Sequence, residues 1–397
     1  MPTDLTIRES FRQKVDALAD QMNSWEEKPR IDPDEEKNLR AAITPFNHTT
    51  TAEDFKIGGV DGSGDYPSFT YADSFIYLAS ASGTVYATDS LHGLKEEQAL
   101  TEPTLEFTWL PEDKVAAHPS WLKSFEELAG RPVRDVIDQS DYRSLMSKTK
   151  KVDDLVDQLI LPNASDIQNV SIQLRTTAEM GTGLRLVMHE PACRYVLMDT
   201  TFSLPMVTGS GGTLFFEHLK RLCCVEAFKR DIAFMTISKS HGFPSMDQIE
   251  EFARDEMGLA KGSTAEHWFL RLPIKNEDTW ATSLIGSRRI PPVGAASYLF
   301  RFHRNTPVMR LDMDLNYWQA HLKGNTLAET KLFEELDYTS HDQRAYGYPY
   351  AIKACHDRAR LTMEDRKSIK KQIINAAVSK GMQRAKFRDV SMATGHN

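Results

Sequence analysis

The sequence predicts an α/β fold, a mixed sheet with flanking helices. Three observations predict it. Short apolar runs with strand character alternate with stretches of helical period, and two of the runs close on an aspartate, at Asp61 and Asp199. The composition is globular, with 41% hydrophobic and 26% charged residues across 397 positions. There is no internal repeat and no low-complexity tract.

The elements follow in order. Residues 5 to 25 place Ile7, Phe11, Val15, Leu18, Met22 and Trp25 at steps of three and four, an amphipathic helix with Thr3 or Asp4 as its N-cap. Such a stripe packs on its own domain or on a partner. "EEKPRIDPDEEKN" reads as a charged linker. From Phe55 the pattern turns to strand: "FKIGGV", then "YADSFIYLASA" and "TVYATD" joined by a hairpin turn at Ser82-Gly83. Residues 90 to 160 are charged and read as a mostly helical insertion over this first sheet. "SDIQNVSIQLRTTAEM" is helical, capped by Ser165 or Asp166, and "CRYVLMDTTF" is a buried strand ending at Asp199. Further strands are "RDIAFMTIS", "HWFLRLP", "AASYLFRFH" and "VMRLDM", and a helical tail from Ala351 to Met382 breaks near Leu361-Thr362. The organisation read from this is a helix and linker over 1–50, a main domain over 51–375 with 90–160 inserted, and a tail over 376–397.

Composition excludes several classes. No apolar run approaches the ~20 residues of a membrane span, and "MPTDLTIRES" lacks the layout of a secretory signal. The four cysteines include no CxxC, which argues against a cysteine zinc site and against a disulfide framework, and a reducing cytoplasm fits. The 48 Lys and Arg against 56 Asp and Glu leave a net charge of −8, which disfavours a free-standing DNA binder held by charge alone. If nucleic acid is the substrate, the positive groups are concentrated in a channel or a partner delivers the strand.

The motifs bear on chemistry. "KIGGVDGSGDYPS" sets Asp61 at a strand tip before Gly62-Ser63-Gly64, which serves a turn, a phosphate loop or a metal ligand. "VLMDTTF" repeats the arrangement at Asp199, and Glu179 lies on the intervening helix. Strand-terminal carboxylates face the crevice at the carboxyl end of a sheet. Three carboxylates from separate elements are what magnesium or manganese requires, and two such ions can hold both oxygens of a phosphodiester displacement. In "YGYPYAIKACHDRAR", Pro349 can open a helix that carries His356 about two turns along. His356 is then an acid or base, a phosphate contact or a ligand.

Taken together, strand-VDGS, a helical glutamate, strand-MDTTF, strand-ISKS and the late "YGYPYAIKACH" resemble the NurA nuclease family, over about residues 50 to 375. The eight-residue spacing from Tyr348 to His356 is the most specific piece. The resemblance implies a ribonuclease H-like core and DNA cleavage dependent on Mn²⁺ or Mg²⁺, with two ions. It implies Asp61, Glu179 and Asp199 as metal ligands, Tyr348 and His356 completing the site, and Ser63 and Lys239 as substrate contacts. It implies a homodimer docked on a HerA-type hexameric ATPase that feeds it DNA, in end processing or anti-phage defence, and this motor accounts for the acidic charge. The sequence departs from the family in DTTF, in Ile352 where leucine is usual, and in Gly181 and Gly183. These glycines weaken the helix after Glu179 and make Glu190 its rival. On this reading Gly62 and Gly64 leave room for a DNA backbone. Two alternatives stand beside it: an actin-like nucleotide-binding phosphotransferase or ATPase using the same two aspartate turns, and an inert scaffold for the motor.

Overall fold

The computed structural model describes residues 8–24, 31–48, 50, 53–64, 69–89, 93–99, 103–145, 167–189, 193–202, 210–284 and 291–388. In chain order the elements are α1 (Glu9–Asn23), α2 (Pro33–Ala42), β1 (Ile43–Pro45), β2 (Lys56–Ser63), β3 (Phe69–Tyr71), β4 (Ser74–Asp89), β5 (Gly93–Ala99) and β6 (Thr104–Pro111). Then come α3 (Lys114–Ala129), α4 (Val133–Gln139), α5 (Tyr142–Leu145), α6 (Ile167–Val187), β7 (Tyr195–Met198), α7 (Ser210–Phe228), β8 (Ala233–Ser238) and α8 (Met246–Glu256). The chain continues through β9 (Trp268–Arg271), β10 (Ala295–Arg301), β11 (Met309–Asp314), α9 (Leu315–His321), α10 (Thr326–Tyr338), α11 (Tyr350–Ala359), α12 (Met363–Ser379) and β12 (Phe387–Arg388).

At the centre lies the strand order β6-β4-β2-β7-β8. The first two pairings are antiparallel and the last two parallel, which is the ribonuclease H-like arrangement. Beyond β8 the sheet continues antiparallel through β11, β10, β9 and β1. β3 and β12 extend it on the β4 side. Both faces are covered, so β7 is apolar throughout rather than alternating. Val196 and Met198 pack with Trp121, Phe125 and Leu174 in one core, while Tyr195 and Leu197 pack with Phe333 and Ile352 in the other. A third core around Trp268 and Phe252 closes the β1 edge.

Four expectations need correction. The Ser82-Gly83 hairpin does not exist: β4 runs unbroken for 16 residues, with Ser82 and Gly83 paired to Asp61 and Val60 in mid-strand. The turn lies earlier, at Ala72, whose φ is 47°. The stretch read as a helical insertion begins with two strands, β5 and β6, both paired to β4. The charged linker contains α2, because Asp32 accepts a hydrogen bond from the Glu35 amide at 2.8 Å and Pro33 sits in the first turn. Finally, α6 continues through Gly181 and Gly183, and at Gly181 close packing requires glycine: a Cβ there would lie 2.0 Å from the Leu128 carbonyl oxygen.

The sheet draws on both sides of the boundaries at 50 and 375, through β1 and β12. α1 begins at Glu9, so its expected caps Thr3 and Asp4, like Ser165 and Asp166 before α6, lie outside the described residues. Its apolar stripe is uncovered, with Phe11 41%, Val15 46%, Leu18 55% and Met22 68% exposed. No described helix is long and apolar enough to cross a membrane.

The glycine pair of β2 seats helices on opposite faces. A Cβ on Gly58 would meet the Leu186 side chain of α6 at 2.6 Å, and one on Gly59 would meet the Ala351 backbone of α11 at 2.3 Å. Backbone cannot yield as a side-chain tip can. Gly59→Ala is expected to cost about 1–3 kcal/mol or more in urea unfolding, and unchanged stability would show that α11 does not rest on β2 as described.

Candidate metal and nucleic-acid site

The site forms where β7 ends and β2 does not. Val60 pairs in parallel with Met198, and the Asp199 amide donates to the Val60 carbonyl at 3.3 Å. Asp61 and Asp199 are therefore neighbours at the carboxyl ends of adjacent parallel strands. On the other side β2 stays paired to β4 through Ser63, which keeps Asp61 rigid.

Alternation distributes the groups over two layers. Asp61 turns towards α11, where His356 Nδ1 lies 2.8 Å from its Oδ2. Gly62 turns towards α6, where Glu179 lies so close that a Cβ on Gly62 would be 2.8 Å from Glu179 Oε1. The open space at Gly62 is thus filled by the glutamate, not by a ligand's backbone. A Cβ on Gly64 would meet the Leu78 carbonyl oxygen at 2.6 Å, so that glycine also serves internal packing. Arg175 Nε, one turn before Glu179, is 3.4 Å from Glu179 Oε1. α11 is pinned by Cys355, whose thiol donates to the Gly59 carbonyl at 2.9 Å, and by Thr84, which donates to the Ala351 carbonyl at 3.2 Å.

The DTTF turn has its own anchors. The Phe202 amide donates to Asp312 Oδ2 at 2.8 Å, and Lys220 Nζ donates to the Phe202 carbonyl at 3.0 Å. Phe202 is wholly buried and stacks on Phe234. The Phe202 backbone bonds and its buried ring hold the turn together.

The resulting cleft, about 610 Å³, is lined by Asp61, Ser63, Glu179, Asp199 and His356, together with Arg175, Arg360 and Arg366. Tyr348 and Lys239 stand just behind it: the Tyr348 hydroxyl is buried against Asp199, and Lys239 Nζ lies 3.6 Å over the Tyr348 ring. That hydroxyl has no well-formed hydrogen bond among the described residues. Burial, and then the charge of Asp199, raise the Tyr348 pKa well above its ordinary value. Glu190 lies outside the described residues. The three arginines were missed in the sequence. Arg175 precedes Glu179 by one helical turn, and Arg360 and Arg366 follow the late motif, but nothing in their local pattern points them inward.

The donor set suits a hard divalent cation, with three carboxylates and no sulfur. Burial, and then the charge of Asp199, raise the Asp61 pKa above the ordinary carboxylate value, while the Gly62 amide and His356 oppose the shift. A like-charge pair held this way is unfavourable until a cation or a proton neutralises it.

No family model and no curated protein matches the chain. Among solved structures it is similar to the NurA nuclease from Sulfolobus solfataricus, at 12% identity over 94% of this chain and 95% of that chain, with a TM-score of 0.47. It is also similar to NurA with manganese, at 13% identity over 93% and 98% with a TM-score of 0.34. A third, NurA bound to dAMP and manganese, matches at 11% over 95% and 98%, with a TM-score of 0.34. The strand order and the carboxylate geometry described above carry the functional reading that follows.

A prediction follows from the Asp61 shift. With the folded pKa above the unfolded value, the folded state binds more protons between the two, so stability falls as pH rises through that window. In metal-free protein at neutral pH, Asp61→Asn is expected to melt higher than wild type. The gap should close below about pH 4, where the unfolded carboxyl is protonated too. Added Mn²⁺ should raise the wild-type melting temperature and leave the variant's unchanged. A variant that melts lower than wild type in EDTA would contradict the repulsion.

Proposed function

We propose that this chain is a divalent-metal-dependent DNA nuclease. The observation that carries the reading is the meeting of Asp61 and Asp199 on adjacent parallel strands with Glu179 from the opposite helical layer, in a cleft walled by arginines. Asp61, Glu179 and Asp199 would hold Mn²⁺ or Mg²⁺, as a pair of ions on the sequence reading. A bound cation supplies activation of water and neutralisation of the charge that develops on the phosphate.

The remaining roles belong to the chain. His356 orients Asp61 through its 2.8 Å contact and lies on the open side, where it can also give a proton to the leaving oxygen. Arg360 and Arg366 have no ion pair among the described residues and can meet the phosphates flanking the scissile bond. Ser63 at the mouth is a further substrate contact. Lys239 on the Tyr348 ring holds positive charge behind Asp199 and steadies Tyr348. The actin-like alternative would place its nucleotide between two such cores, and the described residues contain one.

The chain is proposed to work as a dimer on a HerA-type hexameric ATPase, in DNA end processing or anti-phage defence. Two uncovered apolar surfaces support assembly: the α1 stripe, and Leu105, Phe107 and Trp109 alternating on one face of β6. The net charge of −8 supports delivery of DNA by a partner.

Cleavage of end-labelled DNA with Mn²⁺ tests the chemistry. Asp61→Asn, Glu179→Gln and Asp199→Asn should each lose more than the ~10–100-fold that removal of an outer-shell partner costs. His356→Ala should lose about 10²- to 10⁴-fold in rate and need more Mn²⁺ for half-maximal activity, with partial recovery in His356→Gln. Near-normal turnover by a soluble carboxylate variant would remove that residue from the site.

For Arg360→Ala and Arg366→Ala, the slope of log Kd against log salt for single-stranded DNA should each fall by about 0.7, read by anisotropy in EDTA. An unchanged slope would move the phosphate track elsewhere. Deleting residues 1–25 should abolish self-association or motor binding in light scattering and pull-down while the Mn²⁺-induced rise in melting temperature is kept. Unchanged assembly would assign α1 another role.

A further inference from the structure

A second cluster of metal-ligand side chains lies apart from the cleft. His48 follows β1, His267 immediately precedes β9, Asp337 lies in the last turn of α10, and His341 lies in the turn beyond it. One ligand atom from each lies within 4.8 Å of all the others. Asp337 is wholly buried, its Oδ2 2.8 Å from His48 Nδ1. Its Oδ1 has no hydrogen-bond partner among the described residues, nor has His267 Nε2, 3.7 Å away. His341 Nδ1 sits 2.6 Å from the Asp337 carbonyl oxygen, the kind of outer bond that orients a ligating imidazole. Buried polar atoms seldom go unmatched, and here two face each other.

We propose that His48, His267, Asp337 and His341 form a structural site for a borderline cation of the Zn²⁺ class. Three imidazoles and one carboxylate suit Zn²⁺ and Co²⁺, whereas Mg²⁺ and Mn²⁺ prefer oxygen. A tetrahedral site with bonds of ~2.1 Å sets its ligands ~3.4 Å apart, so small side-chain rotations close the cluster. Burial pushes Asp337 up to about 7, and burial together with the neighbouring rings of His48, His267 and His303 brings His341 down to about 4.

The position gives the site a purpose. The segment after α10 leads to Tyr348 and α11 and is tied back to the end of α10, since the Tyr350 amide donates to the Thr339 carbonyl at 3.0 Å and the Gly347 amide to Ser340 at 2.6 Å. A cation there clamps β1, β9 and α10 at the root of the segment that presents Tyr348 and His356. The proposal stands independently of the nuclease reading.

Titration of chelator-stripped full-length protein with Co²⁺, followed by visible absorption, tests it. The expected result is one equivalent with the intense bands of a tetrahedral site, displaced by Zn²⁺, and a melting temperature raised by Zn²⁺. The bands should persist in the Asp61→Asn, Asp199→Asn double variant. They should be lost in His48→Gln and in His267→Gln, with affinity at least about 100-fold weaker. His48 is the safer position, since its side chain is partly exposed and its replacement leaves the cores intact. Absence of the bands in wild type, or their persistence in both histidine variants, overturns the proposal.

Discussion

The parallel register of β2 and β7 is the constraint on which the site depends. Pairing Val60 with Met198 forces two carboxylates together where the strands end. Repulsion between them opposes the register at neutral pH, so the surrounding structure holds it in place. On one side β4 continues the pairing past Asp61. On the other, Asp312 and Lys220 fix the turn after Asp199 through the Phe202 backbone. Asp312 is itself bound by Arg310 at 2.7 and 2.8 Å and by Ser297 at 2.6 Å, all in the interior. Such a buried, fully bonded network is costly to disturb, and it transmits the rigidity of β10 and β11 to the turn beside Asp199.

The two helical layers meet the strand ends through missing side chains. Gly58 admits α6 and Gly59 admits α11, one on each face of β2. Gly62 then admits the Glu179 carboxylate from the α6 side, while Asp61 reaches His356 on the α11 side. Gly59 sets the firmest limit, since its neighbour is the Ala351 backbone of α11, whereas Gly58 and Gly62 meet chiefly the side chains of Leu186 and Glu179. The run "GGVDG" is therefore less a loop than a packing surface with one aspartate set in it.

Much of this was legible in the sequence, for reasons that can be named. Strand-terminal Asp61 and Asp199 stood out because buried parallel strands are uniformly apolar and a carboxylate at their end is conspicuous. His356 was read from the late motif, and Glu179 from its place on the helix before the second strand, with Glu190 as its rival. β5 was not: "GLKEEQA" is an edge strand whose charged residues face solvent, and nothing local separates it from a loop or helix. β6 was obscured because Leu105, Phe107 and Trp109 lie on its exposed face. Ser82-Gly83 looked like a turn because Ser-Gly has hairpin composition, yet the pair lies in mid-strand between the stretches of β4 that pair with β6 and with β5. The histidine cluster could not be seen at all, since His48 and His267 belong to distant segments that only the β1–β9 pairing brings together.

The central claim is that Asp61, Glu179 and Asp199 hold a divalent cation. Anomalous diffraction from crystals grown with Mn²⁺ measures this directly. The expected result is a manganese peak, single or paired, within bonding distance of all three carboxylates. A difference map with no peak there, or with manganese only at the histidine cluster, would contradict it.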